Sequence, residues 1–379
     1  MLYKLKNLFF DISIFFYVFF YVLSATTNRS ISSHGNVIIL LCSLLCLFSL
    51  LMTKKFDSKV IFVHFICFIV ATLAAFFSGG TSIVYIGVAI LCSYKIDFKK
   101  AKKFALCALI IGTLFVMFLF ALGIIDQSVR YREDGFVRYS FGFNHPNVLG
   151  QFYFIICLLI IDCFYSKLNL KISIPLLIIL LFIFIFTDSR TSFWCTILLF
   201  LVSFLLKKAK TLNKMFLFDF SPIFFMVLII SLSLLYGRNQ LIYDVNNLLS
   251  GRISSIHRFL NDYPITFFGQ EVFLRGSFDT IAYGGVGAVL DSSYGRLIIM
   301  YGIVPTLIFI IGYCFSLKTF RNLGGKGTYI ALLIYSIYII FEASACNFAT
   351  NIFILSFSEA LFNISKKNKS IFIKNKSVC

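Results

Sequence analysis

Residues 170–208 read LKISIPLLIILLFIFIFTDSRTSFWCTILLFLVSFLLKK. Two apolar runs, 172–187 and 191–206, are joined by Asp188-Ser189-Arg190-Thr191 with hardly any loop, and lysines mark the far end of each run. A helix needs roughly 17–25 mainly apolar residues to cross a hydrocarbon core about 30 Å thick. The stretch therefore reads as a hairpin of two membrane helices with an arginine pinned at its turn. Ionisable groups at such depth are costly and are functional by default. The plainer reading of Arg190 is a snorkelling side chain that anchors a helix end.

The same pattern extends in both directions. Of the 379 residues, 60% are hydrophobic and only 13% charged, and the mean hydropathy is +0.94. A soluble domain keeps about a quarter of its residues charged, so much of this chain's surface must face lipid. The alternation of an outer-membrane strand is absent. The expected fold is an all-α integral membrane protein, one polytopic domain over 1–379. Expected spans are 8–24, 36–53, 60–78, 81–94, 104–125, 146–165, 172–187, 191–206, 220–236, 297–316, 328–345 and 350–364. That makes about twelve, with 81–94 short enough to be re-entrant. The first run has no clear small-residue cleavage site and is interrupted by Asp11, so it reads as a retained span. Ten of the 11 cysteines lie in or beside apolar runs, as small hydrophobes do, and no metal-ligand spacing or disulfide framework is evident.

The net charge of +18 would point to nucleic acid in a soluble chain. Here the cations flank spans, so topology and anionic headgroups explain it and no nucleic-acid partner is expected. One set of connections carries the lysines: Lys4/Lys6, Lys54/Lys55/Lys59, Lys95 to Lys103, Lys167/Lys171, Lys207 to Lys214, Lys318/Lys326 and Lys366 to Lys376. The other set has none. The positive-inside rule makes the lysine set cytoplasmic, with both termini inside.

Ten of the eleven arginines lie on the lysine-free side: Arg29, Arg130, Arg132, Arg138, Arg190, Arg238, Arg252, Arg258, Arg275 and Arg296. Arginine offers a planar, weakly hydrated fork that grips phosphate bidentately. A face that excludes lysine yet gathers arginine points to a phosphate or diphosphate ligand. The alternative is loop pairing with Glu133, Asp134, Asp262 and Asp279.

Two segments of this side could carry chemistry. Residues 126–145 read DQSVRYREDGFVRYSFGFNH, and a long extracytoplasmic loop spans 237–296. Within the loop, Gly251–Tyr263 (GRISSIHRFLNDY) fits a helix, with Ile253, Ile256, His257 and Leu260 on one face. Tyr283–Ala288 (YGGVGA) reads as a turn or lid. Candidate general bases are His145, His257, Glu133, Asp134, Asp188 and Asp291.

Further strings carry a family resemblance. Gly142-Phe143-Asn144-His145-Pro146-Asn147-Val148-Leu149-Gly150 opens a span, and Asp188-Ser189-Arg190-Thr191 joins two. Leu249-Ser250-Gly251-Arg252, Phe267-Phe268-Gly269, Asp291-Ser292-Ser293-Tyr294 and Tyr301-Gly302-Ile303 follow in order. Together, over residues 142–303, these resemble Wzy-type repeat-unit polymerases of Gram-positive capsule and exopolysaccharide synthesis, within the O-antigen ligase and polymerase superfamily.

The resemblance implies a metal-independent membrane glycosyltransferase, similar in fold to type C glycosyltransferases, with no cofactor. Its substrate would be an oligosaccharide linked to undecaprenyl diphosphate in the cytoplasmic membrane of a bacterium. By motif match, Arg190 and Arg252 would hold the donor diphosphate, with Arg258 as a third candidate. His257 and Asp291 complete the expected catalytic set. Arg132, Arg138, Asn144, His145, Asn147 and Arg296 form the expected substrate-binding set. Ligases of the superfamily carry a histidine where Asp291 stands, which favours a polymerase. A flippase or a ligase-like transferase is the alternative. A chain-length regulator and a flippase are compatible partners.

Overall fold

The computed structural model describes residues 2–53, 56–132, 135–274 and 289–376. Its helices follow the apolar runs, because backbone in hydrocarbon must satisfy its N–H and C=O groups internally. In the first half these are α1 (Leu2–Ser24), α2 (Arg29–Leu51), α3 (Ser58–Ser78), α4 (Ser82–Cys92), α5 (Phe98–Ala121) and α6 (Pro146–Phe164). Then come α7 (Leu170–Thr187), α8 (Arg190–Lys208), α9 (Ser221–Leu234), α10 (Gln240–Leu248) and α11 (Arg252–Asp262). The last four are α12 (Ser293–Arg296), α13 (Ile303–Leu323), α14 (Lys326–Tyr338) and α15 (Leu355–Lys376). Between α5 and α6 a small antiparallel hairpin, β1 (Val129–Tyr131) and β2 (Val137–Tyr139), sets Arg130 opposite Arg138.

Eight helical stretches among the described residues are long and apolar enough to cross a membrane: α1, α3, α5, α6, α7, α8, α13 and the stretch Asn213–Leu234 that ends in α9. Val37–Leu51 in α2, the whole of α4, and Ile352–Ser365 are apolar but shorter. The chain is a multi-pass helical membrane protein, and by this measure the expected twelve spans are not reached.

The largest departure concerns the expected span 328–345. Helix α14 stops at Tyr338, and residues 339–354 run through turns and two short 3-10 segments, Ala343–Cys346 and Ile352–Ile354. Irregular backbone at membrane depth is tolerated when protein encloses it. Here side chains supply what a helix would: Asn351 Nδ2 donates to the Ala345 carbonyl at 2.8 Å, and Thr350 Oγ1 to that of Ser344 at 2.7 Å. Glu342 consequently lies beyond a helix end and not within a span.

Helices α6 and α14 form the centre, with Phe154, Leu158, Leu159, Tyr329, Tyr335 and Tyr338 fully buried. Helices α7 and α9 are peripheral and expose Ile172, Ile178, Leu181, Ile185, Phe224 and Val227; such a surface suits lipid. Lys102, expected as a solvated loop cation, is buried in the first turns of α5 instead. Its Nζ meets Asp162 of α6 at 3.0 Å and Glu359 of α15 at 3.2 Å, so one ammonium ties three helices together. The ten described cysteines are free thiols, most of them buried.

The motif strings also dock on one another. The Ile303 and Val304 amides donate to the carbonyls of Thr266 (2.9 Å) and Phe267 (3.0 Å), and the Gln270 amide to that of Met300 (3.0 Å). The long loop is thereby stapled back onto the start of α13. A Cβ on Gly302 would sit 2.4 Å from the Gly269 nitrogen, so only a glycine permits the approach.

Candidate functional site

Helices α8 and α11 each begin with an arginine, and their first turns converge. Arg190 opens α8 and Arg252 opens α11. The turn into α8 is sharp: Asp188 caps α7 in the left-handed region (φ 44°), its amide bonded to the Phe184 carbonyl at 2.8 Å. The turn into α11 uses Ser250 (φ 52°) and Gly251 (φ 78°), with the Gly251 amide reaching back to the Asn246 carbonyl at 2.9 Å. Arg190, Thr191, Trp194, Ser250, Arg252 and Phe341 are among the residues lining a recess of ≈ 380 Å³. That falls within the roughly 300–1,000 Å³ common for small-molecule sites.

A helix N-terminus carries about half a positive charge and unsatisfied N–H groups. Ser189 makes no side-chain cap at α8, while at α11 Asn246 Oδ1 accepts the Ser254 amide at 2.9 Å and leaves the Ile253 amide open among the described residues. Two such termini with two guanidinium groups form a strongly anion-seeking cavity. Trp194, 62% exposed, adds an aromatic wall.

Behind the recess, Asp188 organises the hairpin loop. Its carboxylate takes Arg132 Nε at 2.6 Å and Arg190 Nε at 3.1 Å, and its carbonyl takes Arg132 Nη2 at 3.0 Å. Arg138, buried, donates through Nε to the Thr187 carbonyl at 2.7 Å and through Nη2 to Asn147 Oδ1. The carbonyl end of α7, where the helix dipole is negative, is thus capped by two arginines. Burial, and then Arg132, bring the Arg138 guanidinium down to about 10, still fully charged at neutral pH. Two arginines share the Asp188 carboxylate and a third, Arg138, sits on the adjacent backbone carbonyl, so the local field stays positive.

His145 caps α6, its Nδ1 accepting the Asn147 amide at 3.1 Å. That fixes the remaining proton on Nε2, making the neutral ring a donor and not a base. Burial, followed by Arg138, Arg130, Arg132 and Arg252, lowers its pKa to about 4. Asn144 is exposed, its backbone amide bonded to the Ala25 carbonyl at 2.9 Å.

The other expected residues divide. Asp291 joins the site, its carboxylate 2.9 Å from Arg252 Nη1. His257 faces away from it: Nδ1 contacts the Ser233 carbonyl at 2.8 Å and Nε2 contacts Asn261 at 3.0 Å, so neither ring nitrogen is available as a base. Arg258 packs over Phe259 at 5.5 Å and does not line the recess. Arg296 donates to the Leu290 carbonyl at 3.2 Å, lies in the electrostatic range of Tyr21, Tyr301 and Cys346, and does not line the recess. Glu133, Asp134, Arg275, Asp279 and the 283–288 turn lie outside the described residues.

One residue next in chain to the recess-lining Phe341 carries no expectation from the sequence. Glu342, placed by the early end of α14, is partly buried with Arg252, Asp291 and Arg138 around it. Burial pushes its carboxyl up to about 7 against the pull of the two arginines. The only trace in the sequence was an acid in an otherwise apolar run.

Comparison with known proteins returns no matching family model and no matching curated relative.

Proposed function

We propose that this protein is a membrane glycosyltransferase that polymerises oligosaccharide repeat units. It would move the growing glycan from undecaprenyl diphosphate to the next lipid-linked repeat unit at the outer face of the cytoplasmic membrane. The observation that carries this reading is the convergence of Arg190 and Arg252, each at a helix N-terminus, on one recess. A diphosphate leaving group gains negative charge as the glycosidic bond breaks. Preorganised cations and helix N-termini stabilise it most at that moment, which is what accelerates a reaction. The segregation of arginine from lysine along the chain supports the same ligand, and it supports an outward-facing recess with both termini inside.

The test is deletion of the gene, with polymer length followed on gels and lipid-linked intermediates by mass spectrometry. Single repeat units collecting on lipid at the outer face, with loss of long polymer, is the expected result. Repeat units retained on the inner face would make the protein a flippase. Long polymer that forms but is not passed to its final acceptor would make it a ligase.

A further inference from the structure

The acids and histidines around the recess are already committed, with one exception. Asp188 is shared by Arg132 and Arg190, Asp291 is bound to Arg252, and the Nδ1 of His145 holds a backbone amide. No ion pair closes on the Glu342 carboxylate among the described residues, although Arg252 and Arg138 lie within electrostatic range.

Its backbone is held firmly by the Asp291-Ser292-Ser293-Tyr294 string. The Ser293 amide donates to the Ile339 carbonyl at 2.9 Å, Ser293 Oγ to the Glu342 carbonyl at 2.5 Å, and the Ala345 amide to Ser293 Oγ at 3.0 Å. Arg252 Nε donates to the carbonyl of the preceding residue, Phe341, at 3.0 Å. Phe341 itself lines the recess. The same arginine that faces the anion cavity therefore fixes the irregular segment on which Glu342 stands.

We propose that Glu342 is the catalytic base of the transfer, receiving the proton of the acceptor sugar's hydroxyl. This assignment rests on the transferase reading above. The acceptor oxygen forms a bond to the donor's anomeric carbon. The bond from that carbon to the diphosphate oxygen breaks, and its electron pair leaves with the diphosphate, between Arg190 and Arg252. The hydroxyl proton passes to the Glu342 carboxylate and is returned to water once the product leaves. The titratable and charged groups facing Glu342 are Arg252 of α11, Asp291 before α12, Arg138 of β2, Cys195 of α8 and Tyr338 of α14. Burial raises the carboxyl to about 7 against the pull of Arg252 and Arg138, a range suited to a base at neutral pH.

The test uses the full chain in lipid vesicles, supplied with the lipid-linked repeat units extracted from the deletion strain. Elongation rate is measured from pH 5.5 to 8.5 for the wild type, Glu342→Gln and Glu342→Asp, alongside binding of a short polyprenyl diphosphate. The wild-type rate should fall on the acid side through an apparent pKa close to 7. Glu342→Gln should lose about 10²–10⁴-fold in rate and lose the acid limb, while binding the diphosphate as the wild type does. Glu342→Asp should recover part of the rate and the limb. A Gln variant that elongates within about threefold of wild type overturns the assignment. So does one that is slow but keeps the wild-type pH profile, because the glutamate would then be structural. A wild-type chain that elongates nothing at any pH, yet binds the diphosphate, overturns the transferase reading itself.

Discussion

Arg252 holds Asp291 at 2.9 Å through one terminal nitrogen while its Nε donates to the Phe341 carbonyl at 3.0 Å. The second terminal nitrogen is uncommitted among the described residues, on a side chain that lines the recess. A planar fork can serve a carboxylate, a carbonyl and a phosphate at once. A lysine ammonium is a single point charge and cannot cover all three directions.

Arg252→Lys should therefore lower turnover by about 10²–10³-fold, the usual cost of losing one preorganised donor to a developing anion. Arg190→Lys should be similarly defective, because Arg190 holds Asp188 through Nε while lining the same recess. In both variants turnover should fall more than diphosphate affinity. The readout is polymer length in complemented deletion cells together with elongation rate in vesicles. Full-length polymer from either lysine variant would sink the bidentate role.

His145 should make the fold sensitive to acid. Its pKa is lowered from an ordinary 6.5 to about 4, so between those values the unfolded chain binds a proton that the folded chain does not. Unfolding then takes up protons, and stability falls as pH drops through that window. His145→Asn keeps a capping side chain but removes the titration. Thermal unfolding of purified protein in detergent at pH 7 and pH 5 should show a smaller acid loss for the variant than for wild type. Equal losses would mean that the ring is not shielded as described.

Lys102→Met should be strongly destabilising. It strands Asp162 and Glu359 without their shared cation, and breaking a buried pair from one side costs about 3–5 kcal/mol. Adding Asp162→Asn and Glu359→Gln removes the stranded charges, so the triple variant should regain most of the lost melting temperature. Failure of that recovery would show that Lys102 acts through its packing and not through the ion cluster.

The sequence carried the helical membrane class, most helix positions and the two arginines of the recess, because apolar length and residue type at a span junction are local signals. It did not carry Glu342. A single acid among the apolar residues of 328–345 hardly alters the mean hydropathy, and α14 stops at Tyr338 because side chains such as Asn351 and Thr350 take over its hydrogen bonding. Lys102 was hidden for a related reason: its partners Asp162 and Glu359 are remote in sequence. The surroundings of His257 are not legible either, because an amphipathic pattern places a residue on a face without saying what that face meets, here the carbonyl of Ser233 at the end of α9. Arg258, a candidate by its place in the motif string, and Arg296 do not line the recess, because the direction of a side chain depends on packing.

The Tyr301-Gly302-Ile303 string now has a structural meaning that a substitution can test. Gly302 adopts φ 89° and ψ 178°, a region essentially reserved for glycine. A methyl group there would also lie 2.4 Å from the Gly269 nitrogen and 2.7 Å from the Phe267 carbonyl oxygen. The backbone strain alone is worth about 1–3 kcal/mol, and the clash would pry open the amide contacts that staple the long loop to α13. Gly302→Ala should lower the melting temperature and reduce elongation together, since the loop carries Arg252. Gly324→Ala is the control: it has a positive φ of 70° but nothing within 4 Å of the added carbon, so it carries strain without the clash. Thermal unfolding of both variants compares a mildly strained, open glycine site with the strained and crowded one. If Gly302→Ala melts no lower than Gly324→Ala, the staple is not what holds the loop against the membrane helices.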